Sequence, residues 1–481
     1  MPARLTTKPQ VSGYRFLLRR LEHAMVRRDV RMLHDPMRAQ LRSLTAGLVL
    51  GVLAVAGMAI LGFLKPEGTV GEAKIVTGKD SGALYVVVEG RLHPALNLAS
   101  ARLISGTAEG PTSVKDSKLR SMPRGAMLGI PGAPAALPGP ASPGNSQWTV
   151  CESVMLSASG SALASQGVTT AVLAGPAPAS GARAMAANEA LLATHKDHTY
   201  LLYRGKRAEV DLKNPVVART LRLSGLRPRP VGAALMDALA AAPALEPPAI
   251  PQAGKPGKGR LAGVKVGTVI RTDGLAGSEL YVVVADGVQR ISPLAAEMIR
   301  NADSQGRSTV ETLPPDTLTG VPVVRPLPVD EFPVETPKVL AAEQFPVSCV
   351  TWRKTTDAPA AIAMMAGGAL PLPASAKPVA LAGADGVGDQ VDESYLPPSS
   401  GEYIQATGIA PGSARRDSLF FVADNGIRYG VPDRETAAVL GLPAEPVLAP
   451  WAIVGRLVPG PTLRRSAALV SRDTLPAVAT E

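Results

Sequence analysis

Leu44–Leu64 reads LTAGLVLGVLAVAGMAILGFL, 21 residues without a charge. A hydrocarbon layer about 30 Å thick, crossed at about 1.5 Å per residue, needs ~20 apolar residues in a helix. Lipid offers the backbone no hydrogen-bond partner, so such a segment satisfies itself as a helix. The run therefore predicts one transmembrane span. A buried core helix is the alternative, but such helices are normally shorter and keep a polar side. A cleaved signal peptide fits poorly. Ala54-Val55-Ala56 is a small-x-small triplet, yet 43 residues precede the run and apolar character continues to Leu64. The segment reads as an uncleaved signal anchor.

Charge outside the span is unevenly placed. Residues 1–43 hold ten Lys/Arg against Glu22, Asp29 and Asp35, a net +7 of the chain's +10. The basicity is a flank of the span rather than a nucleic-acid footprint, and no aromatic platform or zinc pattern accompanies it. The positive-inside rule places residues 1–43 in the cytoplasm and residues 65–481 on the far side. The chain's 45 prolines argue against long helices outside the span, and 4% aromatic content leaves Val, Leu and Ala to build the core.

Residues 10–34 predict an amphipathic helix started by Ser12 and stopped at Asp35-Pro36. Tyr14, Leu17, Leu18, Leu21 and Met25 recur at helical spacing. Arg15, Arg19, Arg20, Arg27, Arg28 and Arg31 supply a basic face. A bare helix of this length is marginal in water, so the stripe points to a membrane surface or a cytosolic partner. Tyr14, Phe16, Leu17, Leu18, Arg19, Arg20 and Leu21 are the candidate docking residues.

After the span one pattern recurs four times: ALYVVVEGRL at 83–92, TYLLYRGKR at 199–207, ELYVVVADGVQ at 279–289 and SLFFVADNGIR at 418–428. Strand-forming residues before a Gly-containing turn are a hairpin signal. The turn glycines are Gly90, Gly205, Gly287 and Gly426. Short helices are expected after each hairpin, at Pro94–Ile104, Asn214–Leu223, Pro293–Arg300 and Asp433–Leu440.

The cysteines add a second symmetry. Gly90 to Cys151 is 61 residues and Gly287 to Cys349 is 62. Trp148-Thr-Val-Cys151 meets Cys349-Val-Thr-Trp352 in reversed order. The reading is an internal duplication, each half giving one central strand and two satellite units. Two cysteines in an exported domain invite a disulfide, with two buried thiols as the alternative.

The resulting architecture is a single-pass membrane protein with an N-terminal cytosolic amphipathic helix, one transmembrane helix and a β-rich α+β ectodomain. The ectodomain has a central β core and four peripheral repeat units in a pseudo-twofold duplication. The expected segments are a basic helix at 1–43, the span at 44–64, repeat 1 at 65–125 and the first half of the core at 126–185. Repeat 2 follows at 186–240, then a Pro/Gly/Lys linker at 241–260 and repeat 3 at 261–310. The second half of the core occupies 311–400, repeat 4 401–445, a core strand 446–462 and a disordered tail 463–481.

Stretches resembling chemical sites are weak. His195 and His198 fall at a strand entry, and no further ligand completes a metal shell. Gly254–Gly259 and Gly78-Lys79-Asp80-Ser81 lack the P-loop spacing. The acidic stretch from Gly383 to Glu393, with Asp389 and Asp392, lacks the EF-hand ligand order. No GxSxG elbow or HExxH occurs. Catalytic residues, metal ligands and cofactors are accordingly expected to be none.

QVSGYRFLLRRLEHAMVRRDVRMLHDPMRAQ at 10–40, the four hairpins, the Trp148/Cys151 and Cys349/Trp352 segments and the Pro-rich linker resemble the EccB family. This is the single-span membrane component of the type VII (ESX) secretion system of mycobacteria and relatives. The resemblance spans nearly the whole chain. It implies an elongated extracytoplasmic domain whose repeats are similar in fold to a phage-lysin cell-wall-binding subunit, and a Cys151–Cys349 bridge across the core. It implies residence in the inner (plasma) membrane, and partners in the complex: the FtsK/SpoIIIE-like ATPase EccC, the multispan EccD, and EccE. It also implies self-association of the ectodomain. Family members are often labelled ATPases, a label no motif in this sequence supports. The function expected is a structural component of the secretion machine. The alternatives are an extracytoplasmic ATPase or hydrolase, and a cell-wall-binding anchor.

Overall fold

The computed structural model describes residues 7–28, 30–31, 36–64, 70–157, 167–178, 180–274, 277–386 and 390–472. The chain divides into two compact units, residues 1–71 and 72–481.

The first unit holds two helices, α1 (Lys8–Arg27) and α2 (Pro36–Leu64). α1 begins earlier than Ser12. Thr7 is its N-cap, Pro9 sits in the first turn, and the Gln10 side chain accepts the Thr7 N–H at 3.0 Å. That pattern of capping residue, early proline and Gln three residues on outcompetes a lone serine. α1 also ends earlier, where Arg28 turns left-handed (φ 56°) and its N–H caps on the Ala24 carbonyl. Asp35 lies outside the described residues. α2 starts at Pro36, whose fixed φ suits a first turn, and its apolar window covers Gln40–Ile60. Thr45 Oγ donates to the Leu41 carbonyl at 2.9 Å, so the hydroxyl needs no water.

The second unit is built on a seven-stranded sheet. In spatial order its strands are Val379–Ala380, Glu393–Tyr395, Val168–Ala174, Asn145–Val154, Val347–Thr355, Ala361–Gly367 and Ala182–Ala184. The middle pair is antiparallel, with Trp148 opposite Trp352, Val150 opposite Val350 and Cys151 opposite Cys349. Side chains alternate across a strand. Trp148, Val150, Val350 and Trp352 therefore share one buried face, and Cys151 and Cys349 share the other with Ala171, Leu173 and Met365.

Four smaller sheets surround it. The first (Ile75–Val114) and third (Val269–Leu313) are three antiparallel strands plus a parallel fourth added beside the first. The second and fourth extend the same meander at both edges. Arg229–Pro230 and Ala240–Ala242 flank the second sheet, and Val447–Pro450 and Val458–Pro459 flank the fourth. The helices after the hairpins are Leu98–Ser105, Pro215–Thr220, Pro293–Ala302 and Arg434–Val439, capped by Asn97, Asn214, Ser292 and Asp433. The first starts four residues later than expected because Arg91–Pro94 continues as strand.

Glu89–Gly90 and Arg204–Gly205 both have positive φ throughout the turn, the primed geometry that matches strand twist. Gly287 is different. It pairs with Val284, and a Cβ there would lie 2.1 Å from the Pro322 carbonyl oxygen, so close approach of a crossing segment requires the glycine.

Three expected segments differ. Residues 241–260 are not a free linker: Leu245 is buried, its N–H donates to Glu209, and Gly254 and Gly257 donate to the Val266 and Val264 carbonyls. The shared core of the second and third sheets draws the connector onto the domain. Residues 446–462 serve the fourth sheet rather than the central one, because Val447–Pro450 pairs with Ile404–Thr407. Residues 463–472 are ordered: Leu463 and Ala468 are fully buried, and Arg465–Ala468 is helical. Residues 473–481 lie outside the described residues.

The small sheets pair across the chain order. Leu103 and Ile104 of the first pack with Ala437 and Leu440 of the fourth. Met298 and Ile299 of the third share a cluster with Val217 and Leu221 of the second. The second and fourth also rest on the central sheet, through Leu191, Leu202, Ile404 and Val422. Each outer sheet is thus held by an inner sheet from the other half of the chain.

Candidate functional site

α1 has no buried residue. Tyr14 is 65% exposed and Met25 80%, and Leu17, Leu18 and Leu21 are exposed with them on one stripe. Phe16 is exposed too, but at roughly 100° per residue it points away from that stripe. Arg19 and Arg20 flank the stripe and are exposed. An apolar stripe on a 20-residue helix has little to hold it folded alone, so its chemistry is that of a surface awaiting lipid or another helix.

The structure bonds Cys151 to Cys349 across 198 residues of sequence. Both are buried, and beside them Thr149 and Thr351 hydrogen-bond hydroxyl to hydroxyl at 2.9 Å. Trp148 Nε1 donates to Ser146 Oγ and Trp352 Nε1 to the Ile409 carbonyl, so both indoles are satisfied. The turn glycines Gly90, Gly205 and Gly426 stand at hairpin ends of three different sheets.

The stretches resembling phosphate or metal sites are occupied by the protein itself. The Asp80 and Ser81 N–H groups and Ser81 Oγ all donate to the Asp116 carboxylate, at 2.8–3.2 Å. Gly254, Lys255 and Gly257 N–H groups donate to backbone carbonyls. His195 Nδ1 meets the Val231 carbonyl and His198 Nδ1 meets Glu209, so cross-strand neighbours serve separate partners. Asp392 is 4% exposed, and its two oxygens accept the N–H groups of Gly386 and Thr170, pinning its loop to the central sheet. Asp389 lies outside the described residues. Among the described residues no group of three or more His, Cys, Asp or Glu is placed to hold a metal ion.

Sequence reading missed the buried carboxylates. Glu152 is 1% exposed on the tryptophan face, and its oxygens accept the Gly232 and Leu235 N–H groups at 2.8 and 3.0 Å. These amides open the short helix Ala233–Asp237 of the second sheet, so Glu152 ties that sheet to the centre. The available signal was a charge at an inward position of an alternating strand. Burial pushes Glu152 up to about 7, against the two amides and Arg456, which favour the anion. Glu189 is opposite in sign: its bidentate pair with Arg183 pulls it to about 2.

A raised carboxyl binds its proton more tightly folded than unfolded. The associated stabilisation is complete below about 4.5 and is lost as pH rises through about 7. The gap corresponds to roughly 3 kcal/mol. Glu152→Gln is expected to flatten the decline of the thermal midpoint between pH 5 and 8. A variant whose midpoint falls as steeply as the parent's would assign that decline to another group.

A family model described as the type VII secretion system ESX-1 transport TM domain B, EccB, matches residues 3–477. The ESX-5 secretion system ATPase EccB5 of Mycobacterium tuberculosis is 38% identical over 98% of this chain and 94% of its own length. The ESX-3 secretion system ATPase EccB3 of Mycolicibacterium smegmatis is 38% identical over 98% of this chain and 91% of its own. A chain solved in an intact ESX-5 inner membrane complex superposes with a TM-score of 0.74 at 35% identity, covering 100% of this chain and 98% of that one. A chain of an EccB3 dimer from the ESX-3 core complex superposes with a TM-score of 0.71 at 35% identity, over 83% of this chain and all of that one.

Proposed function

The chain belongs to the EccB family of the ESX type VII secretion system, and from that premise we propose that it is a structural component of the secretion membrane complex. The observation that carries the reading is the state of its two long helices. α1 has no buried residue, and the apolar window of α2 is wholly unburied. Apolar surface of that extent is stable only when lipid or partner helices cover it.

On this reading α2 anchors the chain in the inner membrane, with residues 1–43 cytoplasmic and residues 65–481 extracytoplasmic. The +7 flank ahead of the span supports that orientation. α1 docks through Tyr14, Leu17, Leu18 and Leu21 onto cytosolic portions of EccC-, EccD- or EccE-like partners. The four small sheets are repeat units of a duplicated ectodomain, a view supported by their shared strand order. The ectodomain self-associates, as the EccB3 relative does in its dimer.

The enzymatic reading, suggested by the word ATPase in the relatives' names, finds less support. The glycine-rich turns have their amides engaged by Asp116 and by backbone carbonyls. Affinity purification of the tagged chain from the native membrane, with partners identified and the assembly weighed, tests the structural reading. A stable assembly of fixed stoichiometry is expected. A lone chain that hydrolyses ATP would overturn it.

A further inference from the structure

α1 carries a second face that the apolar stripe leaves free. At roughly 100° per residue, Lys8, Arg15, Arg19, Arg20 and Arg27 fall on one arc about 140° wide, on the side opposite Tyr14 and Met25. All of these cations are exposed, and among the described residues none of them is in an ion pair. Glu22, the one acid of α1, lies outside the arc. Phe16, 55% exposed, stands within it, between Arg19 and Arg20 and one turn ahead of both. His23 shares the arc and is half-buried.

Arg15 and Arg19 are one turn apart, a like-charge pair that destabilises an isolated helix. An anionic surface reverses the sign of that interaction. Residues 28–35 join α1 to α2. At no more than about 3.5 Å per residue they hold the end of α1 within roughly 30 Å of the start of α2. The surface that fits is therefore anionic, extended and close to the span. An anionic leaflet meets all three conditions and attracts basic segments next to a span. An aromatic ring set among cations suits the headgroup layer, where the ring sits at the acyl boundary and the charges meet phosphate.

We propose that this face of α1 lies on anionic phospholipid headgroups, with Phe16 inserted among them, while the opposite stripe holds a partner subunit. It rests on the docking reading given above, since an uncovered stripe would itself sink into the membrane. α1 is then a wedge between the membrane surface and the cytosolic part of the assembly, with both of its faces covered.

The test uses the assembly purified from the native membrane and reconstituted in nanodiscs, either of phosphatidylcholine alone or with one lipid in three replaced by phosphatidylglycerol. Cys151 and Cys349 are bonded to each other, so Ser12→Cys gives this chain a single free thiol. Ser12 is exposed and lies on the basic arc. A bimane label there, read against the parent assembly treated alike, is quenched by brominated lipid where the arc touches the bilayer. Quenching is expected to be roughly threefold stronger with phosphatidylglycerol, and about 0.5 M NaCl should remove the difference. Arg19→Gln with Arg20→Gln, and separately Phe16→Ser, should each lower it by about twofold or more. Equal quenching in the two lipids by an intact assembly, or unchanged quenching in the double arginine variant, would overturn this inference alone. A chain that runs free on native gels would overturn the docking reading, and this inference with it.

Discussion

Replacing Tyr14, Leu17 and Leu21 together with serine leaves a chain that inserts, folds and forms its disulfide, but no longer remains in its complex. All three residues are exposed in this structure, so the substitution removes no intramolecular packing. All ten Lys/Arg of the flank stay in place, so the signal for orientation is kept. Each large apolar side chain buried against a partner contributes about 1.5–3 kcal/mol. Losing three weakens docking by at least about 40-fold even if half the gain is offset elsewhere. Native gels of detergent extracts provide the measurement. The variant is expected to run as a free chain, whereas the parent runs in a large assembly. An intact assembly containing the triple variant would remove α1 as the docking element and leave α2 and the ectodomain as the contacts.

The second large effect concerns the centre of the ectodomain. Cys151→Ala with Cys349→Ala is expected to cost on the order of 4 kcal/mol, since the bond closes a loop of 198 residues. At 2–4 °C per kcal/mol for a domain of this class, the thermal midpoint falls by about 10 °C. The fold itself survives. Asn145–Ser153 and Val347–Thr355 are paired at nine positions, and the Trp148/Trp352 face packs independently of the sulfurs. Far-UV circular dichroism of the double variant at 25 °C should therefore match the parent, while its melt shifts. A midpoint within 2 °C of the parent, roughly half a kcal/mol, would mean that strand pairing alone sets the stability.

Local features of this protein were legible in its sequence. The long apolar helix through Leu44–Leu64 follows from an uncharged length, and the hairpins follow from strand residues ahead of Gly90, Gly205 and Gly426. The helices after them follow from Asn, Ser and Asp caps. Each signal lies within a few residues of the element it specifies, because capping, turn geometry and periodicity are short-range effects. The facing order Trp148…Cys151 and Cys349…Trp352 went further, and it matches the register of the central pair.

Other features were decided only by tertiary packing. Residues 241–260 look like a linker by composition, yet Leu245 is buried and the glycines are bonded, because two sheets meet over them. Residues 446–462 pair in the fourth sheet, a choice of partner that no local pattern encodes. Glu152, Asp392 and Glu402 look alike in sequence. One caps a helix, one pins a loop, and one lines a cleft at the end of the central strands. What separates them is which amides and guanidinium groups distant chain segments bring near, and that is a property of the folded packing. The same holds for the pairing of first sheet with fourth and second with third. Sequence by itself determined the long apolar helix, the charge asymmetry, the hairpins and the symmetric strands. Tertiary structure alone decided how the halves interlock, because burial of apolar faces selects among partners hundreds of residues apart.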